Sequence, residues 1–213
     1  MEEPTEPIGI RTVQPDDIDA LCAISLETGH LGADASAQYR DPRLIGLIYA
    51  APYAALSPET CLVAEDCRGV VGFAFGAHDT RRFEHLLETS WWPRLRSLHP
   101  APEGDPATWD ADQRRHHMMH HPTSAPGCVV AAFPAHMHVN IRPRAQGRGL
   151  GRALVKDWLS RAHDQGVAGV HIASNPGNVA ARAFWTAMHF EPLCSMMDLG
   201  ATRHVWMGRS NLL

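Results

Sequence analysis

The sequence predicts a mixed α/β fold, with a mostly antiparallel central sheet and helices on both of its faces. Short β-rich runs alternate with helical patterns in the order β-α-α-β-β and then β-α-β-α-β-β. Between these halves, residues 79–126 change in composition towards His, Arg, Pro and Trp. In the second half, a loop with three glycines connects a strand pattern directly to a helical one. We therefore expect one sheet with a helical insertion between its third and fourth strands.

The elements of the first half follow from local patterns. They are, in chain order, a strand at 8–13, helices at 15–27 and 42–51, and a hairpin of strands at 60–65 and 70–77. Asp41 is the expected cap of the second helix, with Pro42 at its first position, and Pro52 ends it. The turn of the hairpin is the segment Asp66-Cys-Arg-Gly69.

The second half begins with the insertion, in which we expect one or two helices. Trp91, Trp92 and Trp109 are predicted to form its core, although they could instead line a cleft. A long excursion inside a compact domain is often a functional lid. The elements predicted after the bend at Phe133-Pro134 are a strand ending at Ile141, a helix at 149–165, a strand at 167–173, a helix at 179–188, and strands at 190–199 and 202–207 joined by a turn at Gly200.

Length, charge and cysteine usage limit the class of protein. The 213 residues suffice for one domain with a sizeable core, expected over residues 8–213 after a flexible tail at 1–7. A net charge of −4 without a large basic block argues against nucleic acid or an anionic membrane as the main partner. No apolar run approaches the roughly 20 residues of a membrane span. The five cysteines include no CxxC pair and indicate reduced thiols, so we expect a cytoplasmic protein.

The glycine loop has the composition of an anion site. Gly147, Gly149 and Gly151 lie where strand becomes helix, so backbone can approach a ligand and the first helical amides are unsatisfied. A P-loop would need a Lys-Ser/Thr pair, and a dinucleotide-binding fingerprint would need G-x-G-x-x-G, and neither is present. The pattern that is present is Gln146-x-x-Gly149-x-Gly151, which we interpret as an anion-binding loop. The alternative is a plain structural turn.

Two motifs together resemble the GNAT superfamily of N-acetyltransferases. The first is the strand end at Ile141-Arg-Pro143 followed by the glycine loop. The second is Asn178-x-x-Ala181-x-x-x-Trp185-x-x-x-His189-Phe190. The two occur in the order and at the separation typical of that family. The resemblance implies a GNAT-type sheet with a splayed strand pair, acetyl-CoA as co-substrate, and transfer of an acetyl group by direct attack of an amine.

The resemblance also implies which residues hold acetyl-CoA. The splayed strand would pair with the pantetheine amides, the loop amides would cradle the pyrophosphate, and Asn178 would contact the pantetheine arm, a role compatible with capping its helix. The implied residues are Val139, Asn140, Ile141, Gln146, Gly147, Arg148, Gly149, Leu150, Gly151, Arg152, Asn178, Ala181 and Trp185. Arg144, Arg148 and Arg152 could bind phosphate or could be solvated loop arginines.

A narrower resemblance links the chain to the acetyltransferase-like domain at the C-terminus of O-GlcNAc hydrolases. It rests on Ser90-Trp-Trp-Pro93, the entry Phe133-Pro134 and the terminal segment Val205-Trp-Met-Gly-Arg-Ser210, and here the domain would stand alone. One departure from the GNAT pattern concerns chemistry. Trp185 replaces the tyrosine that would reprotonate the thiolate, and an indole N–H is no acid near neutral pH. The alternative to an enzyme is therefore a pseudo-acetyltransferase module that binds acetyl-CoA without turnover.

The acceptor amine must lose a proton, which calls for a base. Side chains alternate along a strand, so His136, His138 and Asn140 share one face, opposite Met137, Val139 and Ile141. We expect His138 to be the base, with His136 second, His171 third and Asn140 in the same polar row. Each histidine could instead be a buried, hydrogen-bonded core residue.

The histidine-rich segment 116–121 invites a metal interpretation, because two pairs have i, i+4 spacing. It contains no H-E-x-x-H arrangement and no cysteine, so we expect no metal, and a histidine-based hydrolase is a distant alternative. The expected partner is a small-molecule or peptide amine whose identity the sequence does not specify. The oligomeric state also stays open.

Overall fold

The computed structural model describes residues 8–193 and 204–213. Its strands form one seven-stranded sheet in the order β1-β2-β3-β4-β5-β7-β6. Neighbouring strands are antiparallel except β4 and β5, which are parallel, so the predicted mixed, mostly antiparallel sheet is confirmed. The strands are β1 Gly9–Thr12, β2 Leu62–Asp66, β3 Gly69–Ala77, β4 Ala135–Ile141, β5 Val170–Ser174, β6 Glu191–Pro192 and β7 Val205–Arg209.

Helices cover both faces of this sheet, as predicted. They are α1 Ile18–Glu27, α2 Leu44–Tyr49, α3 Ala51–Leu56, α4 Thr80–Leu86, α5 Trp92–Leu98, α6 Ala111–His120, α7 Gly127–Ala132, α8 Leu150–Asp164 and α9 Val179–Ala187. Helix α8 packs on one face, where Trp158 is buried and donates its indole N–H to the Thr60 carbonyl at 2.8 Å. Helices α1 and α3 pack on the other face against Phe73 and Phe75. None of the described helices is long and apolar enough to cross a membrane.

The first half differs from expectation at one proline. The hairpin of β2 and β3 forms around the predicted turn, but Pro52 does not end the helical segment. Helix α2 ends at Tyr49, and Pro52 lies in the first turn of α3, where its missing N–H costs no hydrogen bond. The consequence is that Tyr53, one residue later, faces the sheet on a helix of its own.

The insertion contains more helix than expected. Helices α4, α5 and α6 lie within residues 79–126, with a π-helical turn at Leu87–Trp91 between the first two. Asp79 caps α4, and Asp110 and Gln113 form a capping box on α6. Trp92, Leu95 and Met119 form a cluster with Leu44 and Ile48 of α2, so the insertion is fixed to the sheet domain by its own small core.

Two segments of the second half also differ in detail. The residues just before the bend at Phe133, for which no element is predicted, form the short helix α7. The two final strands are present as β6 and β7 in the described part of the predicted ranges 190–199 and 202–207, and β7 continues to Arg209. Residues 194–203, including the expected turn at Gly200, lie outside the described part of the chain.

Candidate active site

The glycine loop has the backbone geometry of an anion cradle. Gly147 and Gly149 have positive φ angles of 73° and 77°, and nothing lies within 4 Å of where their Cβ atoms would be. Gly149 directly precedes α8, whose first-turn amides, beginning at Leu150, have no acceptor within the helix. A Cβ on Gly151 would lie 3.4 Å from the Phe184 ring. The loop is therefore open at Gly147 and Gly149 and closely packed against Phe184 at Gly151.

Side chains around the loop fix its shape. Gln146 donates from Nε2 to the carbonyl of Ile141 at 2.9 Å, which ties the loop to the end of β4. Asn178 accepts from the amide of Ala181 at 3.0 Å, so it is the N-cap of α9. Arg144 forms an ion pair with Asp66, which holds the pKa of that carboxyl at about 2.

The exposed arginines of the loop are placed differently from Arg144. Arg148 and Arg152 both lie on the solvent side of the turn. Arg152 has no ion pair within the described residues. Arg152 can therefore reach a bound anion without first breaking a salt bridge.

Strands β4 and β5 part immediately before the loop. Their parallel ladder consists of two pairs, Ala135 with Val170 and His136 with His171. Beyond His136, the edge of β4 that faces β5 has no strand partner among residues 8–193 and 204–213, and Val139, Asn140 and Ile141 all lie in this open stretch. Backbone polar groups there are available to an extended ligand. This is the splayed pair that the sequence predicts.

Trp185 lies in the core behind the splay. Its side chain is 6% exposed, and its ring packs edge-on against Phe190 at 4.9 Å and Phe184 at 5.2 Å. Ala181 packs against the same cluster. The indole is therefore a residue of the hydrophobic core.

A cleft of about 790 Å³ opens on the polar face of β4. The sheet supplies its floor, with His136, His138 and Asn140 from β4 and His171 from β5. Helices α2 and α3 and the insertion supply its walls, from which Tyr49, Tyr53 and Arg115 face inwards. The cleft therefore connects the splayed strands to the inner surface of the insertion.

Two hydrogen bonds hold His136 in one tautomer. Thr80 donates its hydroxyl proton to the Pro134 carbonyl at 2.7 Å, so its oxygen can only accept from Nδ1 of His136, 2.8 Å away. Nε2 of His136 is then unprotonated and accepts from the Tyr53 hydroxyl at 2.8 Å. Burial, assisted by His171 and His138, lowers the pKa of His136 to about 3. Both ring nitrogens are thus occupied and the ring is neutral.

His138 is in a different state from His136. Its Nε2 atom is buried and has no hydrogen-bond partner within the described residues. The Tyr53 ring packs edge-on against it at 5.0 Å, and Phe73 does so at 5.7 Å. Burial lowers the pKa of His138 to about 4, against the nearby backbone of Tyr49, which favours the protonated form. A buried polar atom without a partner is costly, and a ligand group in the cleft would satisfy it.

The other polar residues of the row are engaged. Asn140 donates from Nδ2 to the Thr28 hydroxyl at 2.6 Å, at the end of α1. His171 is 2% exposed, its Nδ1 lies 2.7 Å from the Phe133 carbonyl, and burial lowers its pKa. Among these histidines, His138 is the one with a buried ring nitrogen that has no hydrogen-bond partner within the described residues.

The sequence interpretation missed Tyr53, Thr80 and Arg115. Tyr53 and Thr80 hold His136 from sequence separations of 83 and 56 positions, and no local pattern predicts such contacts.

The histidines of segment 116–121 do not line this cleft, and His117 and His121 pack ring to ring at 4.4 Å. Within residues 8–193 and 204–213, no group of three or more metal-ligating side chains has the geometry to hold an ion.

Comparison with known proteins agrees with this architecture. The acetyltransferase (GNAT) family model matches residues 33–190. The crystal structure of SsHAT is 35% identical, with a TM-score of 0.80 over 95% of this chain and 98% of that one. The structure of YncA from Salmonella typhimurium, solved with its cofactor acetyl-CoA, is 18% identical, with a TM-score of 0.52 over 96% and 94% of the two chains.

Curated relatives match more weakly. Protein O-GlcNAcase from Rattus norvegicus and from Mus musculus is 23% identical over 147 residues, which is 69% of this chain. The match spans only 16% of the length of these relatives. Both resemblances predicted from the sequence, the broad one and the narrower one, are confirmed by these matches.

Proposed function

The chain belongs to the acetyltransferase (GNAT) family, whose members use acetyl-CoA, and we propose that it transfers the acetyl group to an amine held in the cleft. The observation that carries this proposal is the unpartnered Nε2 of His138 beside the open edge of β4. A nitrogen in that position can receive the proton that the attacking amine loses. The acetyl group would arrive along the open edge and the amine through the cleft.

The residues around the splay fit the co-substrate. The amides after Gly147 and Gly149 would bind the pyrophosphate, and Arg148 and Arg152 would add charge from the solvent side. The open edge from Val139 to Ile141 would pair with the pantetheine amides. Acetyl-CoA supplies an activated thioester at this point, so the protein needs to supply position and a proton acceptor.

His138 acts as the base in this proposal. With a pKa of about 4 the ring is unprotonated at neutral pH, so its nitrogen is available. It is a weak base towards a free ammonium ion, but an amine becomes far more acidic as it bonds to the acetyl carbon. Proton transfer then becomes favourable during attack rather than before it.

Tyr53 and His136 position this site. The hydrogen bonds from Tyr53 through His136 to Thr80 fix the Tyr53 ring, which packs against His138. Because the Tyr53 proton is committed to His136, the phenol oxygen can accept an N–H from the acceptor amine. We assign Tyr53 and His136 as positioning residues and His138 as the catalytic base. The insertion, residues 79–126, is the proposed lid over the acceptor.

Trp185 favours the alternative function, an acetyl-CoA-binding module without turnover. The family resemblance implies a tyrosine there as proton donor to the thiolate, and a core indole cannot replace it. In the enzyme, water in the cleft would supply that proton. The O-GlcNAcase relatives add no assignment, since the chain corresponds to a small part of them.

The two functions are separated by one experiment. Acetyl-CoA is titrated into the full chain by calorimetry, and CoA release is then followed with a panel of aliphatic amines, aminosugars, peptides and lysine-containing proteins. We expect saturable binding and CoA release above the buffer rate with at least one amine class. Binding with no release for any class would support the module, and no binding would contradict both.

A further inference from the structure

Arg115 stands apart from the other charged residues that line the cleft. Glu84 is paired with Arg81 at 2.6 Å, and Glu88 is paired with Arg96 at 3.0 Å. Arg115 has no carboxylate partner within the described residues. It donates instead to two phenols, from Nε to Tyr39 at 3.0 Å and from Nη1 to Tyr49 at 3.1 Å.

The guanidinium is only partly satisfied by these contacts. Nη2 has no hydrogen bond within the described residues, and the group lies over the Tyr49 ring at 5.6 Å. The histidines of the cleft add little positive charge to that of Arg115 at pH 7, because burial lowers their pKa values. A partly buried guanidinium with N–H donors left at Nη2 is suited to a carboxylate, which accepts in the plane of the group.

Tyr49 relates this cation to the proposed base. Its hydroxyl accepts from Arg115, and its backbone lies beside His138. The two ends of a ligand that reaches both groups are therefore about one tyrosine length apart. Two or three extended residues span roughly 7–10 Å, which matches that separation. An α-amino acid is too short, because its amine and carboxylate share one carbon.

We propose that the acceptor is a primary amine that carries a carboxylate about two extended residues away, with the amine at His138 and the carboxylate on Arg115. This inference rests on the proposed function and specifies its substrate class. Short peptides with a free C-terminus and ω-amino acids of similar length have this form. One guanidinium matches one carboxylate charge, whereas a phosphate would leave excess negative charge in the cleft. Helix α6 of the insertion thereby selects the acceptor.

A series of amino acids of increasing length measures the separation between the amine position at His138 and the carboxylate position at Arg115. Acetyl transfer is compared for glycine, β-alanine, γ-aminobutyrate and ε-aminocaproate, and for ε-aminocaproamide, which has the same amine and length without the charge. We expect kcat/KM to rise along the series, and ε-aminocaproate to exceed its amide by about 10- to 100-fold, as for a charge-assisted hydrogen bond. Equal rates for acid and amide would overturn the proposal.

Variants of helix α6 test whether Arg115 binds the carboxylate of the acceptor. In Arg115→Gln the ratio of kcat/KM for the acid to kcat/KM for the amide should fall to about one, and Arg115→Lys should retain part of the preference. Arg114→Gln, on the exposed side of the same helix, is the matched control and should keep the full preference. An Arg115→Gln variant that still prefers the acid would contradict the assignment.

A binding measurement keeps this test separate from the proposed function. With CoA present, the N-acetyl derivatives of ε-aminocaproate and of its amide are titrated by calorimetry, which requires no turnover. Tighter binding of the acid, abolished in Arg115→Gln, would support the acceptor class even if no amine is acetylated. Equal binding of the two would refute it even if other amines are good substrates.

Discussion

Two histidines two residues apart on β4 have opposite hydrogen-bonding states. His136 is occupied at both nitrogens, and its tautomer follows from the single proton on Thr80. His138 has a buried Nε2 with no partner within the described residues. The alternation of side chains along the strand predicts that both histidines lie on one face of the sheet, and the structure confirms this. The alternation cannot predict which is free, because the partners Tyr53 and Thr80 come from other elements.

Removing the Tyr53 hydroxyl tests the network around His136. Tyr53→Phe leaves Nε2 of His136 buried without a donor, so the free energy of unfolding should fall by about 1–3 kcal/mol. Urea unfolding of Tyr53→Phe, Thr80→Val and the double variant forms a double-mutant cycle. We expect a coupling of at least about 0.5 kcal/mol, since His136 connects the two. Strictly additive losses would show that the chain of hydrogen bonds does not act as a unit.

The element that positions the site is the unit of β4, glycine loop and α8. It could be predicted well because its signals are local: alternation, glycines, and an apolar stripe of Leu150, Leu154 and Trp158. The number and bounds of the helices in the insertion could not be predicted, because α6 is polar on most of its surface. It is stabilised by its capping box at Asp110 and by burial of Met119 in a cluster with α2 and α5.

Substitution of Gly149 separates the effect of the loop on acetyl-CoA binding from its effect on stability. Gly149→Ala forces a Cβ onto a φ of 77° and should cost about 1–2 kcal/mol of stability. It should also weaken acetyl-CoA binding by about tenfold or more, through displaced amides. Gly104→Ala is the matched control, because Gly104 has a φ of 85° and equally open surroundings in the insertion. Equal acetyl-CoA affinity in the two variants would exclude the loop as the cradle.

At the scale of the whole molecule, the sheet separates an apolar face from a polar one. Met137, Val139 and Ile141 contact the core under α8, and the histidines face α3 and the insertion. The family fold follows from two sequence motifs. The cleft does not, because it is assembled from α2, α3, the insertion and the four strands β3, β4, β5 and β7, which are spread along the sequence.

The buried histidines predict how stability depends on pH. Their pKa values are about 3 for His136 and about 4 for His138, below the usual value of about 6.5 in the unfolded chain. Between pH 4 and about 6.5 the unfolded state binds more protons, so stability is full above this window and falls as pH decreases through it. Each histidine contributes up to about 1.4 kcal/mol per pH unit.

Urea unfolding between pH 4 and about 6.5 measures how steeply the free energy of unfolding changes with pH. His138→Gln should reduce the slope by up to one proton, whereas His163→Gln, at an exposed position of α8, should leave it unchanged. Comparing variants cancels the contribution of carboxylates such as Asp17 and Asp66, which is common to all of them. An unchanged slope in His138→Gln would mean that this ring is not neutral and buried in the folded protein.

The central claim is that His138 accepts the proton of the acceptor amine. Its most direct test is kcat for His138→Gln with the best amine of the panel, alongside the acetyl-CoA Kd of the same variant and of His163→Gln. Loss of a general base should lower kcat by about 100-fold or more, with the acetyl-CoA Kd unchanged in both variants and kcat unchanged in His163→Gln. A His138→Gln variant that binds acetyl-CoA normally and retains the full kcat would contradict the account.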